Sequence, residues 1–573
     1  MTKPIRTLFS NKRTGYLLTG ILILMFLCFF ILCPIISVFS QSFLASDGSF
    51  TFSNYGNMFQ GKETLQAIGN SLLLGLSVTG LSILIAVPEA YILSKTRLRK
   101  LWWLDLVMMI PFMVPPYINS MGWMLFMQRN GILYRIFPAL RPLATSFYSF
   151  FGMAWIMAMH TSPFLMTMLK NAFLSFPKSI DDASDVYVKS KFKKFVKVYT
   201  PILLPNFAIG AFLVFVKALS EYGTPATFGP KINVTVFTTL ITEKMQVAPI
   251  DFSMASALAS LLVSICMLLW VVEMVITSKK AYALKDEGNS KYSKSILTTV
   301  IGSIFLLIMF FLSAFIPLFT IVISSFKKVM YKNLTAEGNF TLENYQIAFS
   351  QDSGFSTGFA AIGNSFMVAA ISSFIVLVIG LIFSIYSFRH KKSFMGKSVE
   401  FMDTLPQMIP NIVTGIGMIM FFSLIYKVFP VYRTVFMLII GYSVVFLPNM
   451  ISYIKNSLVQ MPNSLIEAGE VYSKNSMNIN LRIVLPQALK GAFYGFAMTL
   501  IVALRELVMA KLLQPSAFYT ISLFIDIQFE QGNQQAAMAV AVVSVLITLG
   551  LLIPIEYLSL RKKRRGIEYE YQN

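Results

Sequence analysis

Residues 16–42 read YLLTGILILMFLCFFILCPIISVFSQS and contain no acidic or basic side chain. A run of about 20 apolar residues is long enough to cross the hydrocarbon core of a bilayer as an α-helix. Comparable runs continue along the whole chain, which has 573 residues, 56% of them hydrophobic and 13% charged. Because a soluble globular chain carries about 25% charged residues, this composition excludes a soluble enzyme and predicts an all-α polytopic membrane protein.

The apolar runs predict about 12 transmembrane helices, half of them in each half of the chain. The spans predicted in the first half are 16–42, 67–94, 102–126, 145–169, 200–222 and 252–278. Those predicted in the second half are 296–325, 362–388, 400–425, 434–454, 484–510 and 534–560.

The basic residues indicate how these spans are oriented. The net charge is +21, from 47 Lys and Arg against 26 Asp and Glu. With the N-terminus inside, 32 of the 47 basic residues fall in inner segments and 12 in outer loops. Lys and Arg are enriched on the cytoplasmic side of membrane proteins, so both termini are predicted to be cytoplasmic. The positive charge is thereby explained without a nucleic-acid partner.

Short motifs return at nearly constant offsets, which relates the two halves as a repeat. In the first group the pairs are Gly69-Asn70-Ser71 with Gly363-Asn364-Ser365, Pro111 with Pro406, and Pro115 with Pro410. In the second group, which shares one slightly shorter offset, the pairs include Lys170-Asn171 with Lys455-Asn456, Pro177 with Pro462, Val186-Tyr187 with Val471-Tyr472, Pro201 with Pro486, and Glu221 with Glu506. The change of offset falls in the loop between the third and fourth spans, which is longer in the first half.

The repeat predicts the domain organisation. An even number of spans per half means that both halves enter the membrane in the same orientation, as two parallel six-helix repeats with a pathway between them. We therefore predict a first transmembrane domain at 1–278, a cytoplasmic linker at 279–295 and a second transmembrane domain at 296–573.

The inner loop after the fourth span has the same unusual pattern in both halves. Residues 177–206 read PKSIDDASDVYVKSKFKKFVKVYTPILLPN, and residues 462–491 read PNSLIEAGEVYSKNSMNINLRIVLPQALKG. Each loop places acidic residues soon after its first proline, where a helix N-terminus favours negative charge. Each also has a proline at the start of the next span, where the missing N–H costs little. A short amphipathic helix is therefore predicted in each loop.

These loops resemble the EAA motif of ABC-importer permeases, in which Glu-Ala-Ala precedes a glycine and then a Leu-Pro pair. The matching positions in the second half are Glu467, Ala468, Gly469 and, at the glycine, Ser473. Those in the first half are Asp182, Ala183, Ser184 and, at the glycine, Val188. The segments SEYGTPATFGP (220–230) and RELVMAKLLQP (505–515) are similar to those of fused permeases in the group of ferric-iron, aminoethylphosphonate, thiamine and polyamine importers.

The resemblance implies a type I ABC importer permease of the bacterial inner membrane. In that family the loop is a coupling helix that docks on an ATPase subunit, so two ATPase copies are expected at 178–191 and 463–477. A solute-binding protein is expected at the outer face. The chain itself would be no enzyme, with no catalytic residue, metal site or cofactor of its own, and ATP and Mg²⁺ would bind the ATPase. This agrees with the lack of a P-loop in the sequence.

The resemblance favours ferric iron as the cargo. Aminoethylphosphonate, thiamine or a polyamine remain alternatives within the family. An ion-coupled secondary transporter is the alternative from a different class, and it predicts an ionisable site near the middle of the membrane.

Four charged residues near the outer ends of the fifth spans are candidates for a pathway or gate, because ionisable groups within spans often serve function. They are Lys217, Glu221, Arg505 and Glu506. Local ion pairing at the span ends is the structural alternative. Glu89 and Glu273, near inner span ends, are weaker candidates, and snorkelling to water or to a neighbouring basic loop is the structural alternative for either.

Overall fold

The computed structural model describes residues 12–45, 48–188, 190–279, 292–293, 295–330, 332, 336–350, 357–472 and 476–570. In this part of the chain nearly every element is helical, and the only β-structure consists of two isolated bridges. The predicted all-α class is therefore confirmed. Most of the predicted linker, at 280–291 and 294, lies outside the described residues.

Each predicted span corresponds to a helix or to two consecutive helices. In the first half these are Lys12–Leu27 with Cys33–Ser42, Lys62–Lys95, Trp102–Met113 with Pro116–Met127, Phe150–Leu174, Thr200–Ser220 and Phe252–Lys279. In the second half they are Ile296–Phe310 with Ile316–Phe326, Gly358–Arg389, Phe394–Met408 with Asn411–Leu424, Val435–Val459, Leu485–Leu504 and Gln534–Glu570.

Shorter helices connect these elements. They are Ser53–Gln60, Ile132–Ile136, Arg141–Phe147, Lys178–Tyr187, Lys191–Lys194, Gly223–Ile232, Phe237–Gln246, Glu343–Ser350, Asn463–Tyr472, Ser476–Ile479, Val508–Leu513 and Ile521–Glu530. Within the described ranges, 9 helices are long and apolar enough to cross a membrane, or 10 if the bent pair Phe394–Met408 and Asn411–Leu424 is one span. The number of 12 spans and the cytoplasmic position of the termini stay predictions.

The first and fifth spans of both halves contain a π-helical turn shortly before a proline. The turns are Cys28–Leu32, Phe195–Tyr199, Phe311–Phe315 and Asn480–Val484, and the prolines are Pro34, Pro201, Pro317 and Pro486. A proline inside a helix removes one N–H donor and crowds the carbonyl four residues earlier. The wider π turn accommodates this defect without ending the helix.

The third span of each half is broken, which corrects the prediction of continuous spans at 102–126 and 400–425. In the second half the two helices meet at an angle of 107°. The breaks fall at Pro115 and Pro410, both with extended backbone at ψ of 136° and 137°. The residue before each proline is also extended, because the proline ring disfavours helical backbone there.

An asparagine clamp holds the C-terminal end of the first span in each half. The side-chain amide of Asn54 donates to the carbonyl oxygens of Ser42 and Leu44 at 3.0 and 2.9 Å. Asn344, in the second half, donates to the carbonyl oxygens of Ser325 and Lys327 at 2.8 and 2.9 Å. In both halves the tyrosine after the asparagine also bonds the serine hydroxyl at 2.8 Å. The clamp supports the repeat at a place that the sequence analysis did not identify.

The chain divides into two compact units that do not coincide with its halves. Unit 1 comprises Met1–Tyr55, Asp251–Val263 and Asp352–Asp526. Unit 2 comprises Gly56–Ile250, Ser264–Gln351 and Ile527–Asn573. Each unit thus holds the second to fifth predicted spans of one half together with the first predicted span of the other. The boundaries at 278 and 296 stay a prediction about the sequence repeat.

Candidate functional site: inner loops and outer-face charges

A short helix lies in each of the two loops that are predicted to be inner, as the sequence predicts. The first inner-loop helix is Lys178–Tyr187, and the second inner-loop helix is Asn463–Tyr472. Each directly follows a proline, whose fixed φ suits the start of a helix. Ser473, the glycine position of the second motif, lies outside the described residues.

Both inner-loop helices end in an exposed valine and tyrosine. Val186 and Tyr187 are 77% and 86% exposed, and Val471 and Tyr472 are 84% and 93% exposed. Such side chains on a loop that faces water cost free energy unless another surface covers them, and exposed apolar patches commonly mark interaction sites. The same pair at equivalent positions gives the two loops similar exposed apolar ends.

Burial separates the motif positions into an inward and an outward set. Asp182 is half-buried, whereas Ala183, Glu467 and Ala468 are exposed. The third positions, Ser184 and Gly469, are buried. The Ser184 hydroxyl donates to the carbonyl of Asp181 at 2.7 Å. A Cβ on Gly469 would lie 2.5 Å from Cδ1 of Ile483, so glycine lets the second inner-loop helix pack closely there.

The glycine position of the first motif is occupied by Val188 without backbone strain. This residue ends the first inner-loop helix with φ of −126° and ψ of 96°. That conformation lies in the extended region, which a β-branched residue adopts readily. The chain therefore leaves the helix at Val188 without the left-handed conformation that would favour glycine.

The first inner-loop helix is anchored by a cluster that we name the charged socket, formed by Asp181, Lys95, Lys194 and Tyr199. Lys95 Nζ lies 2.9 Å from Asp181 Oδ2, and Lys194 Nζ lies 2.6 Å from Asp181 Oδ1. The Tyr199 hydroxyl donates to Asp181 Oδ1 at 2.6 Å. Lys194 also pairs with Asp185 at 2.5 Å, so two lysines balance two carboxylates.

The socket is closed to water. The side chains of Asp181 and Lys95 are 2% and 3% exposed, and the Lys95 ammonium lies 4.9 Å from the centroid of the Tyr199 ring. Burial alone would raise the pKa of Asp181, but the hydrogen bonds from Lys194, Tyr199 and Lys95 outweigh it and hold that pKa below its ordinary value. Asp181 is therefore ionised at neutral pH.

Glu221 and Glu506 each cap a helix that follows the fifth span. The Thr224 N–H donates to both carboxylate oxygens of Glu221, at 2.9 and 3.1 Å. The N–H groups of Val508 and Met509 donate to Glu506 Oε1 at 3.1 and 3.3 Å. A carboxylate at a helix N-terminus satisfies otherwise unpaired donors and complements the helix dipole. This arrangement favours the local structural role over a gate.

The two basic residues beside these glutamates lie in different surroundings. The Lys217 ammonium lies over the ring of Phe164, 4.9 Å from its centroid, and 5.9 Å from the centroid of Phe112. Arg505 is half-buried at the C-terminal end of Leu485–Leu504. The assignment of Lys217, Glu221, Arg505 and Glu506 to a pathway or gate stays a prediction.

Comparison with a family model agrees with the membrane architecture. Residues 376–565 match the family described as binding-protein-dependent transport system inner membrane component. The matched residues lie in the second half, and the chain is a multi-pass protein of the bacterial inner membrane.

Three relatives that match over most of the chain carry names from iron transport. The chain is 23% identical to the ferric transport system permease protein FbpB of Actinobacillus pleuropneumoniae, over 94% of this chain and 77% of that protein. It is 21% identical to the Fe(3+)-transport system permease protein FbpB 2 of Haemophilus influenzae, over 83% of this chain and 87% of that protein. It is 24% identical to the ferric transport system permease protein FbpB 1 of the same organism, over 70% of this chain and 63% of that protein.

Proposed function

We propose that this chain is the membrane permease subunit of an ATP-driven ABC importer for ferric iron. The proposal is supported by the match of residues 376–565 to the family of binding-protein-dependent transport system inner membrane components. A solute-binding protein delivers the cargo at the outer face. Two copies of an ATPase bind the inner-loop helices and drive alternating access. The chain performs no covalent chemistry, and ATP and Mg²⁺ bind the ATPase.

The observation that carries the proposal is the pair of exposed Val-Tyr ends on the inner-loop helices. Each lies directly beside positions that resemble the EAA motif. An inner-loop helix that ends in uncovered apolar side chains is suited to docking into a groove on a second protein. The repetition of this surface supports two ATPase copies for each chain.

The ATPase contact is tested by capture of the purified ATPase on the permease in nanodiscs. Reversing the charge of both motif carboxylates with Glu467→Lys together with Asp182→Lys is expected to abolish capture. Glu343→Lys, a charge reversal in a predicted outer loop, is the control and is expected to leave capture intact. Retained capture in the double variant would exclude these helices as the docking surface.

The cargo is tested by uptake into proteoliposomes that contain the permease and ATPase, with the binding protein encoded beside this chain added outside. We expect ATP-dependent uptake of radioactive ferric iron. This expectation rests on the names of the relatives and on the resemblance of residues 220–230 and 505–515 to segments of ferric-iron permeases. Uptake of aminoethylphosphonate, thiamine or spermidine in its place would correct the cargo. Uptake driven by an ion gradient without ATP would contradict the importer class.

A further inference from the structure

The two inner-loop helices are anchored by different chemistry, although their backbones repeat. At the offset that relates Pro177 to Pro462, three members of the charged socket have apolar counterparts, and the pairs are Asp181 with Ile466, Lys194 with Ile479, and Tyr199 with Val484. Ile479 and Val484 are buried, and Ile479 lies beside Gly469 of the second inner-loop helix. Ionic and hydroxyl side chains in the first loop thus correspond to aliphatic side chains in the second.

The buried residues around the socket differ in the same way. Phe173 and Phe176 are fully buried on the first side, and both rings lie against Tyr199. Their counterparts at the same offset are Leu458 and Met461, which are also buried. Aromatic rings around Lys95 favour its positive charge through their negative faces, whereas aliphatic side chains offer no such attraction. The residues that surround the charged socket therefore also favour a buried positive charge.

Both halves have a basic residue at the inner end of the second span. Its acidic partner is buried in the first half and exposed in the second. Arg389 corresponds to Lys95 at the offset that relates Asn70 to Asn364. Arg389 pairs with Glu470 at 3.4 Å, and the Glu470 side chain is 57% exposed. An ion pair exposed to water is weak and screened by salt, so this tether is looser than the buried pair of Lys95 and Asp181.

The socket joins three elements. Asp181 belongs to the first inner-loop helix, Lys95 is the last residue of the helix Lys62–Lys95, and Lys194 and Tyr199 lie where the fifth span begins. Moving the inner-loop helix away from either span would leave a buried charge without its partner, which proteins strongly resist. Aliphatic contacts lack fixed partners and can slide. The first inner-loop helix must therefore move together with the second and fifth spans.

We propose that Asp181 is a positioning residue that transmits movement of the first inner-loop helix to the second span, and that the second inner-loop helix transmits less. The two ATPase contacts of one chain are thereby unequal. This proposal rests on the proposed function, because it assumes that a partner moves these helices.

The test measures ATP-dependent maleimide labelling of a cysteine at the inner end of the second span. Ser94→Cys, in a chain whose three native cysteines are replaced, reports on the first half, and Ser387→Cys reports on the second. Both serines are buried. The permease–ATPase complex in nanodiscs is labelled with and without ATP. We expect a larger ATP-dependent change in labelling rate at position 94 than at position 387.

Asp181→Asn is expected to reduce the ATP-dependent change at position 94 by about an order of magnitude while ATPase capture persists, because the ionic tether is lost. Glu470→Gln is the corresponding change in the second loop. It is expected to alter the ATP-dependent change in labelling rate at position 387 by less than twofold, because Glu470 is exposed in its ion pair with Arg389. An undiminished change at position 94 in Asp181→Asn, or an equal loss in both variants, would overturn the proposal.

A second variant separates transmission from folding. Asp181→Ile with Lys194→Ile, Tyr199→Val and Lys95→Met replaces the socket by aliphatic side chains, three of them those found at the equivalent positions of the second loop. We expect normal assembly with the ATPase and a weak labelling change at position 94, like that at position 387. A full change at position 94 would contradict the proposal. Failure of the unmodified chain to capture any ATPase would instead refute the proposed function.

Discussion

Replacing Tyr187 with alanine is expected to weaken ATPase binding at the first inner-loop helix about 30-fold. The Tyr187 side chain is 86% exposed, so nearly its whole surface is available for burial in a partner. Full burial of a large apolar side chain stabilises by about 1.5–3 kcal/mol. A loss of about 2 kcal/mol corresponds to a change of about 30-fold in Kd. Tyr472→Ala is expected to act similarly at the second helix, since Tyr472 is 93% exposed.

The measurement is a titration of purified ATPase onto permease in nanodiscs, read by surface plasmon resonance. Tyr426→Ala is the control, because Tyr426 is a 51% exposed tyrosine in a predicted outer loop. Its Kd is expected to equal that of the unmodified chain. If Tyr187→Ala and Tyr472→Ala both bind the ATPase with unchanged Kd, the exposed ends of the inner-loop helices do not contact the ATPase.

Four further outcomes are expected. Asp181→Asn should lower the free energy of unfolding by about 3–5 kcal/mol because it strands a buried charge, and adding Lys95→Met should recover most of that loss in thermal melting. Asn54→Ala should cost about 1–3 kcal/mol by leaving carbonyl oxygens unpaired, and Asn344→Ala should cost about as much in the same assay. Folding lowers the pKa of Asp181, so its stabilisation is complete above the unfolded pKa of about 4 and is lost as pH falls through the folded value. The difference in melting temperature between the unmodified chain and Asp181→Asn should therefore be the same at pH 8 and at pH 5. A smaller difference at pH 5 would show that the carboxylate is not held ionised. Glu221→Gln should retain uptake, because the amide oxygen still accepts the helix N–H groups, whereas loss of uptake with normal melting would favour a gate.

Hydrophobic runs and repeated motifs were sufficient to predict the helical class and to place a helix or a pair of helices at each predicted span. They did not predict the breaks at Pro115 and Pro410. Both prolines were recognised as members of the repeat, but Pro111 and Pro406 lie inside helices a few residues earlier. Sequence alone offers a proline at both places and does not show which of the two breaks the helix.

In the inner loops the sequence also did not show which of two neighbouring side chains is buried. The motif pointed to Asp182, whereas its neighbour Asp181 holds the buried cluster. Adjacent positions on a helix face different directions by about 100°, so a register error of one residue exchanges a buried carboxylate for a half-exposed one. The sequence did contain a signal for the buried cluster. The first half has a pair of acidic residues, a basic residue at the end of the second span and neighbouring aromatic residues, whereas the second half has mostly aliphatic residues at the same positions.

The features that the halves share differ in kind from those that separate them. The π turns before prolines, the asparagine clamps and the glutamate caps all satisfy backbone groups. Unpaired backbone groups in or beside a bilayer are costly at any position, so both copies need these devices whatever their partners are. The anchors of the inner-loop helices are made by side chains, and either an ionic or an aliphatic set can fill the space. Divergence is therefore possible there without loss of fold, and it falls at the surface where a moving partner is proposed to act.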